Sequence, residues 1–522
     1  MKKLTALLLA VVMVFGMAAM VSADFTDAKS ISTKYQQAVF AMSDKGVITG
    51  FEDGSFKPKD TLTRAQAAKI ICTMMVGENV PDGKTEFADV PAGHWAEKYV
   101  AYCAKEGIVA GVGAGKFNPN GKLTGLAFGK MLLVANGHDP EKEGLTGAGW
   151  DTNTATLLSN QDLDYNLKVT NDPMERQEAC QMAYNFTLPT MDKSKFEEVT
   201  LSMKDNKGSY KVYGRTILSD AGLETRFSTS GIEFTANLAG DLTLTYTSGE
   251  SDYLRVYVDG MEIAKRVQAT QSVSPRKLKI PANIRSGEHS VLILKDGDIS
   301  KADSALVFQD LTFNGEKVSV SPAYDRPLFI EYVGDSITAG KYVLSKNGET
   351  DDSTHSGVYG YAYLASQLLD ADWMLTARGG IGFQRTTANG GSCPITMAEA
   401  YDYVNPFAED EAKVKYDFAR KPDVVVIALG TNDNADKDVI KAEAKKLVEQ
   451  IKDRNGADVK IVIMAGMMSS GKNATLEEFA KENGLYFLKV TPNSQGGKGH
   501  PNIEGQAKNA QELADYLKTI LK

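Results

Sequence analysis

The spacing of apolar residues changes twice along the chain and divides it into three regions. Through residues 24–200, apolar residues recur at helical spacing in short stretches that turn residues separate. Through 205–320 they alternate with polar residues, the pattern of strands with one buried face. From 325 to 522, short continuous apolar runs alternate with longer helical stretches. The sequence therefore predicts a multidomain protein, since 522 residues are also too many for one hydrophobic core.

The first region repeats itself with a period of about sixty residues. One copy contains the segments Phe51–Pro58 and Leu62–Gln66, and a second copy contains the corresponding segments Lys116–Pro119 and Leu123–Thr124. A third, decayed copy is predicted over residues 150–186. Each copy combines a turn with apolar helical stretches, so the region is predicted to be a helical repeat module.

The middle region is predicted to be a β domain. Apolar residues alternate through 242–246 and 254–258, and Asp259-Gly260 is a hairpin turn signal. Further strands are predicted at 289–294 and 306–313. Many short strands separated by turn residues indicate a β-sandwich or jelly roll.

The last region is predicted to be an α/β domain. Its apolar runs read as buried strands, and helices are predicted over 360–369, 439–454 and 503–521. This order is typical of a mostly parallel sheet with helices on both faces. The loops that follow the strands then gather at one edge of the sheet, where polar residues are candidates for a site.

Four residues at the ends of these runs carry possible chemistry. Ser336 follows the apolar run Phe329–Gly334, where a tight turn would leave its hydroxyl facing outward. Gly380 and Asn432 follow two further strands and could donate N–H groups to an oxyanion, while His500 could act as a general base. Taken singly, the serine could be a helix cap, the asparagine a turn residue and the histidine structural. Their common position at strand ends favours an active site.

In this order, Gly-Asp-Ser, a glycine block, Gly-Thr-Asn-Asp and His-Pro resemble the four blocks of the SGNH, or GDSL-type, hydrolases. The resemblance covers the whole of the last region. It implies a serine hydrolase in which Ser336 is the nucleophile and His500 the general base. It also implies an oxyanion hole formed by the Ser336 amide, Gly380 and Asn432, with Gly382 as the less favoured member of the glycine block.

One position departs from that family. SGNH hydrolases usually have Asp three residues before the histidine, and here that position is Gly497. A main-chain carbonyl in the glycine-rich run 496–499 could accept the hydrogen bond of His500 Nδ1 instead. We therefore expect a Ser336–His500 dyad, with Asp335 and Asp433 bracing their own turns.

The repeats of the first region are similar to S-layer homology modules, which bind secondary polymers of Gram-positive-type cell walls. In that family a Thr-Arg-Ala-Glu motif contacts the anionic polymer, so the resemblance assigns this role to Arg64 and, less well, to Arg176. Gly125 stands where the second copy would have its arginine. The alternative for Arg64 is a solvated arginine beside a helix cap.

A β domain directly ahead of an SGNH domain resembles the arrangement of carbohydrate esterase family 2. The resemblance implies an enzyme that deacetylates polysaccharides such as xylan or mannan, with the β domain either a spacer or a wall of the substrate cleft. Acyl transfer of this kind requires no cofactor. Two alternatives stay open: a non-catalytic wall- or carbohydrate-binding protein with a hydrolase fold, and a lipase or thioesterase of the same fold.

The net charge, the cysteines and the first residues limit the possible classes of binding partner and the cellular location. A net charge of −9 argues against a nucleic-acid partner, and four scattered cysteines have neither metal-site nor disulfide-framework spacing. Residues 1–23 combine two lysines, an apolar run and small residues, which predicts a secretory signal peptide; an uncleaved membrane anchor is the alternative. No later stretch approaches the length of a membrane span. We expect a secreted protein that the repeats attach to the cell wall.

Overall fold

The fold is that of a computed structural model, which divides the chain into two compact units, Met1–Ser194 and Lys195–Lys522. The predicted signal peptide lies outside the residues that the structure describes. Those residues are 25–77, 79–188, 193–298, 305–346, 348–385, 393–468, 472–493 and 495–521.

The described part of the first unit contains six α-helices, two for each predicted copy of the repeat. Their bounds are α1 Thr33–Asp44, α2 Arg64–Val76, α3 Glu97–Lys105, α4 Gly125–Ala135, α5 Trp150–Asn160 and α6 Arg176–Thr187. The second helix of each copy begins at the same place in the repeat, because Thr63, Thr124 and Glu175 cap α2, α4 and α6. The segment predicted as a decayed third copy thus has the same helix pair as the other two.

Main-chain hydrogen bonds join the three copies into a closed ring. The Leu62 amide donates to Met174 O at 2.8 Å, the Met174 amide to Leu123 O at 2.9 Å, and the Leu123 amide to Leu62 O at 2.9 Å. Apolar side chains of all three copies share one core, in which Ile71 and Met182 are fully buried. Each copy donates to one neighbour and accepts from the other, so the third copy is the one that closes the ring.

The second unit begins with an antiparallel sheet to which ten strands contribute among the described residues. They are β1 Glu197–Ser202, β2 Lys211–Tyr213, β3 Thr216–Ser219, β4 Gly222–Thr225, β5 Gly231–Ser248, β6 Asp252–Val258, β7 Met261–Ala269, β8 Ser272–Lys295, β9 Leu306–Gly315 and β10 Ser321–Pro322. The strand order is β3-β4-β9-β5-β8-β6-β7, with β1 on β9 and with β2 and β10 on β5. Alternate residues of these strands form a separate apolar core.

Two features of this sheet were not evident from the sequence. The apolar runs on either side of Gly240 form one strand, β5, because the chain passes that glycine at φ +79° as an irregularity in its pairing with β8 and not as a turn. The sheet also starts at Glu197, ahead of the expected boundary at 205, since Val199 and Leu201 of β1 are buried in its core.

The remainder of the second unit is the predicted α/β domain, and its parallel sheet is confirmed. The strands are β11 Leu328–Gly334, β12 Ala371–Ala377, β13 Val424–Ala428, β14 Lys460–Ala465 and β15 Tyr486–Lys489, in the order β12-β11-β13-β14-β15. The helices are α7 Tyr361–Leu368, α8 Met397–Tyr401, α9 Lys437–Asn455, α10 Asn473–Glu482 and α11 Ile503–Ile520. Successive residues of β13, such as Val425 and Val426, belong to different apolar clusters, as expected for a sheet covered on both faces.

A buried ion pair ties the β domain to the parallel sheet. Arg215, which follows β2, donates through Nη2 to Glu331 Oε1 of β11 at 2.8 Å, and both side chains are fully buried. The Thr376 hydroxyl and the Tyr401 phenol also donate to Glu331, at 2.9 and 2.7 Å. A buried carboxylate with three donors is compensated for its lost hydration, so the two domains form one unit.

Candidate active site

Ser336 lies directly after β11, at the carboxyl edge of the parallel sheet. The chain turns sharply there, and the Lys341 amide donates to Ser336 O at 2.9 Å. A side chain at Gly334 would overlap that of Thr338, so the turn requires glycine at its start. Only 7% of Ser336 is exposed, which leaves the hydroxyl in a largely dehydrated environment.

His500 reaches Ser336 from the loop that precedes α11. Its Nε2 lies 2.7 Å from Ser336 Oγ, and its Nδ1 lies 3.1 Å from the main-chain oxygen of Gly497. When Nδ1–H donates to that carbonyl, Nε2 is left to accept the serine hydroxyl. Among the described residues, no carboxylate is hydrogen-bonded to the histidine ring. The structure therefore places a serine hydroxyl and an imidazole nitrogen within hydrogen-bond distance of each other.

Gly497 has no room for a side chain. A Cβ at this position would overlap the main-chain oxygen of Glu349 and would lie 3.0 Å from Tyr342 Cβ. The aspartate that SGNH hydrolases usually carry here would therefore require the surrounding chain to move. The carbonyl of Gly497 takes the place of that carboxylate as the group next to His500 Nδ1.

The Tyr342 ring packs against the imidazole of His500 and forms one wall of the site. Its ring stands nearly perpendicular to that of His500, at 85° with centroids 5.1 Å apart, and it makes a similar contact with His355 at 5.0 Å. The Tyr342 main chain is held at φ +57°, a conformation that is costly for a non-glycine residue. Burial lowers the pKa of His500 below its ordinary value, which keeps the ring neutral and able to accept a proton.

The glycine block and Asn432 meet next to Asp335, the residue before Ser336. The Asn432 amide donates through Nδ2 to Ile381 O at 2.9 Å and to Asp335 Oδ2 at 3.3 Å. Gly380 is held at φ +82°, in the left-handed region that favours glycine. The predicted oxyanion donors are thus brought to the same edge of the sheet as the serine.

The two motif carboxylates have different structural roles. Asp335 Oδ1 accepts the Ile337 amide at 2.9 Å and so braces its own turn. Asp433 instead accepts the amides of Phe383 and Gln384, at 3.2 and 2.8 Å, and therefore anchors the segment after the glycine block. Burial raises the pKa of Asp335 to about 7 and also raises that of Asp433.

Two charged residues beside the glycine block escaped sequence reasoning. Lys341 Nζ lies 3.4 Å from Asp298 Oδ2, and the Gly379 amide donates to the same oxygen at 3.3 Å. Asp298 comes from the segment after β8, so the β domain reaches the active site. The position of Lys341, five residues after Ser336, was a usable signal, whereas nothing in the local sequence marks Asp298.

In the first unit, Arg64 is engaged with the neighbouring copy of the repeat. It donates to Phe117 O at 2.9 Å and to Ala110 O at 2.8 Å, and its guanidinium lies 4.6 Å from the centroid of the Phe117 ring. Burial lowers its pKa. These contacts differ from those of a freely solvated arginine, the alternative that the sequence left open.

Arg176 occupies the corresponding place in the third copy. It donates to Phe56 O at 3.0 Å and lies over the Phe51 ring at 4.6 Å. It also lines a cavity of about 700 Å³ together with Lys69 and Trp95. At Gly125, the third equivalent position, a Cβ would lie 3.2 Å from Thr170 O, so the chain there is closely packed.

Comparison with known families identifies two kinds of domain. The S-layer homology domain matches residues 24–68 and 86–128, and the GDSL-like lipase/acylhydrolase family matches 330–513. The surface-layer 125 kDa protein of Lysinibacillus sphaericus is 36% identical over 114 residues, and the S-layer protein EA1 of Bacillus anthracis is 37% identical over 95. These alignments cover 22% and 18% of this chain but only 10% and 11% of those two proteins.

Solved structures resemble the second unit. A family two carbohydrate esterase from Clostridium thermocellum in complex with cellohexaose has a TM-score of 0.54 and 23% identity, covering 60% of this chain and 99% of its own. The corresponding enzyme from Cellvibrio japonicus gives 0.55 and 22%, covering 62% and 98%. An acetyl xylan esterase from Butyrivibrio proteoclasticus gives 0.53 and 18%, covering 62% and 99%. At these identities the likeness establishes a shared fold.

No helix in the described ranges is both long and apolar enough to span a membrane. The S-layer homology domains indicate attachment to the cell surface. The chain therefore carries S-layer homology domains, matched at 24–68 and 86–128, followed by a GDSL-type acylhydrolase domain, with a second unit that has the fold of family two carbohydrate esterases.

Proposed function

We propose that this protein is a secreted, wall-anchored serine esterase that removes O-acetyl groups from a polysaccharide such as xylan or mannan. The observation that carries the proposal is the 2.7 Å approach of His500 Nε2 to Ser336 Oγ at the edge of the parallel sheet. The proposed segments are a signal peptide at 1–23, repeats from 24 to 194, a β domain that begins with β1 at Glu197, and a hydrolase domain at 325–522.

The first half of the reaction acylates the serine. His500 Nε2 takes the hydroxyl proton while Ser336 Oγ bonds to the acetyl carbonyl carbon, and negative charge develops on the carbonyl oxygen. The Ser336 amide, the Gly380 amide and the Asn432 side chain donate to that oxygen, and Asn432 does so by exchanging its longer hydrogen bond, the one to Asp335 Oδ2 at 3.3 Å. When the carbon–oxygen bond to the sugar breaks, His500 donates that proton to the leaving sugar oxygen.

The second half releases acetate. Water enters, His500 takes one of its protons, and the oxygen attacks the acetyl-serine carbonyl. Collapse of that intermediate returns the proton to Ser336 Oγ and frees acetate. The Gly497 carbonyl, 3.1 Å from Nδ1, supports the required tautomer through both halves, which is the basis for proposing a dyad.

The β domain is proposed to be a jelly roll that forms one wall of the substrate cleft. Its long antiparallel strands and separate apolar core support the first part. Asp298, which follows β8 and lies beside Gly379 and Lys341, supports the second.

The first unit is proposed to hold the enzyme on a secondary cell-wall polymer. Arginine suits an anionic polymer because its planar fork binds carboxylate groups bidentately. Arg64 is the proposed contact from the sequence. Arg176, the weaker candidate from the sequence, lines the cavity with Lys69, which supports it as a second contact.

Acetate release distinguishes the proposal from its alternatives. Purified protein and a Ser336→Ala variant are incubated with acetylated xylan, acetylated mannan, an aryl acetate and long-chain acyl esters. We expect the parent to release acetate from at least one glycan and the variant to release none. Glycan binding without hydrolysis would favour a non-catalytic binding protein, and preference for long-chain esters would favour a lipase or thioesterase.

A further inference from the structure

Lys341 and Asp298 form a polar pair against the glycine block. Lys341 Nζ would lie 2.7 Å from a Cβ placed on Gly379, so the ammonium rests on the main chain next to the proposed oxyanion donor Gly380. Asp298 Oδ2 receives the Gly379 amide and lies 3.4 Å from Lys341 Nζ. The Lys341 side chain is 21% exposed, whereas the Asp298 side chain is 1% exposed.

Two buried polar atoms in this neighbourhood have no hydrogen-bond partner among the residues that the structure describes. They are Asp298 Oδ1 and His355 Nε2, on residues that are 5% and 2% exposed. His355 also feels the charge of Lys341, and its ring contacts the Tyr342 wall of the site. An unsatisfied buried acceptor costs folding free energy, so each such atom requires a partner such as a water molecule, an ion or a ligand group.

The position of Asp298 is fixed by its own chain segment. Asp296, two residues earlier, is fully buried and accepts the Ser356 hydroxyl at 2.7 Å and the Val358 amide at 3.2 Å. This segment of the β domain is thereby held against the loop that carries His355. The pair is thus built from both domains.

We propose that Lys341 and Asp298 form a subsite for the leaving group of the reaction, binding hydroxyl groups of the sugar ring next to the ester-bearing carbon. The inference rests on the proposed esterase function and names the part of the substrate that this surface recognises. Lys341 Nζ and Asp298 Oδ2 lie 3.4 Å apart, so one hydroxyl beside the ester can accept from the ammonium and donate to the carboxylate. An alkyl chain would leave both groups without partners, and an anionic group would meet the carboxylate.

A pair of small esters isolates this recognition from the chemistry. The monoacetate of trans-1,2-cyclohexanediol carries a hydroxyl next to the ester, and cyclohexyl acetate differs from it only by lacking that hydroxyl. We expect the parent protein to prefer the diol monoacetate by ~10- to 100-fold in kcat/KM, as for sites built to hydrogen-bond a substrate hydroxyl. Lys341→Met and Asp298→Ala should each reduce the preference to within ~3-fold.

The ratio of kcat/KM for the two esters does not depend on the folded fraction of a variant, because both rates come from the same active molecules. Lys508→Met, which removes an exposed charge on α11, is the matched control and should keep the parent ratio. A parent that hydrolyses both esters equally, or variants that keep its preference, would overturn the subsite alone. A parent inactive on every ester would overturn the proposed function and the subsite with it.

Discussion

Gly497 presents its main-chain oxygen to His500 Nδ1 at 3.1 Å, where SGNH hydrolases usually place a carboxylate. A carbonyl can fix the tautomer of the imidazole, but it stabilises the imidazolium less than a negative charge would. Together with burial, which lowers the pKa of His500, this makes the ring a neutral base over a wide pH range.

The pH dependence of hydrolysis should report the lowered pKa of His500. The base acts only when neutral, so kcat/KM should fall as the pH drops through that pKa, with a midpoint below the ordinary histidine value of about 6.5. A pH–rate profile on an aryl acetate measures it. Asp335 accepts a hydrogen bond from Asn432, so its ionisation, at a raised pKa of about 7, should add a second inflection to the profile. That inflection should disappear in Asp335→Asn, while the lower one stays. A single midpoint above 7 would contradict the assignment of His500.

Removing the serine hydroxyl should abolish hydrolysis. Ser336→Ala leaves no nucleophile, and we expect a loss of ~10⁴-fold or more in kcat with an unchanged thermal transition. Asn432→Ala should cost ~10²- to 10³-fold, as for the loss of one oxyanion donor. Turnover near that of the parent in a clean Ser336→Ala preparation would show that another group attacks the ester.

Restoring the family aspartate at position 497 should damage the enzyme. The Cβ of Gly497→Asp would overlap Glu349 O, so we expect a lower thermal transition and reduced kcat in place of a repaired triad. Gly497→Ala, which adds the Cβ without the charge, should share most of the loss. Higher activity in the aspartate variant would mean that this loop moves more readily than its packing implies.

Breaking the buried pair between the domains should destabilise the second unit. Arg215→Met leaves Glu331 buried without its cation, and we expect a loss of ~3–5 kcal/mol, whereas Arg215→Met combined with Glu331→Leu should recover part of it. Loss of esterase activity on heating reports the unfolding of the second unit alone. The exposed pair Arg385–Glu399 is the control, and Arg385→Met should change the transition little. A loss in Arg215→Met as small as that in the control would contradict the bracing role.

The first unit should bind cell walls without the second. A fragment ending at Ser194 should sediment with purified walls that carry their secondary polymer, and a fragment starting at Lys195 should stay in solution. Arg64→Ala and Arg176→Ala should each weaken sedimentation, while Lys105→Ala, at an exposed helix end, should not. Equal behaviour of the two fragments would rule out anchoring by the repeats.

The sequence was most informative where the chain is regular. The buried strand before Ser336 and the helix after His500 follow from local apolar patterns, and so does the meeting of strand-end loops at one sheet edge. Contacts between distant segments were not predictable. Asp298 is 81 residues from Gly379, whose amide it accepts, and no local pattern records that approach.

The same limit explains the differences in the β domain. β1 contains only two core residues, Val199 and Leu201, and its place in the sheet depends on β9, which lies more than a hundred residues later. Likewise, Gly240 interrupts the apolar alternation, yet the partners β8 and β9 keep the chain extended on both sides of it. Tertiary pairing decided both outcomes.

The ring through Leu62, Leu123 and Met174 fixes the number of repeats in the first unit. A linear array can gain or lose a terminal copy because each copy touches only its neighbours, but a closed ring of three has no terminal copy to spare. Its links are main-chain atoms, which any residue other than proline supplies as donors. The side chains of one copy can therefore diverge while its main chain still closes the ring. Residues 150–186 are such a copy.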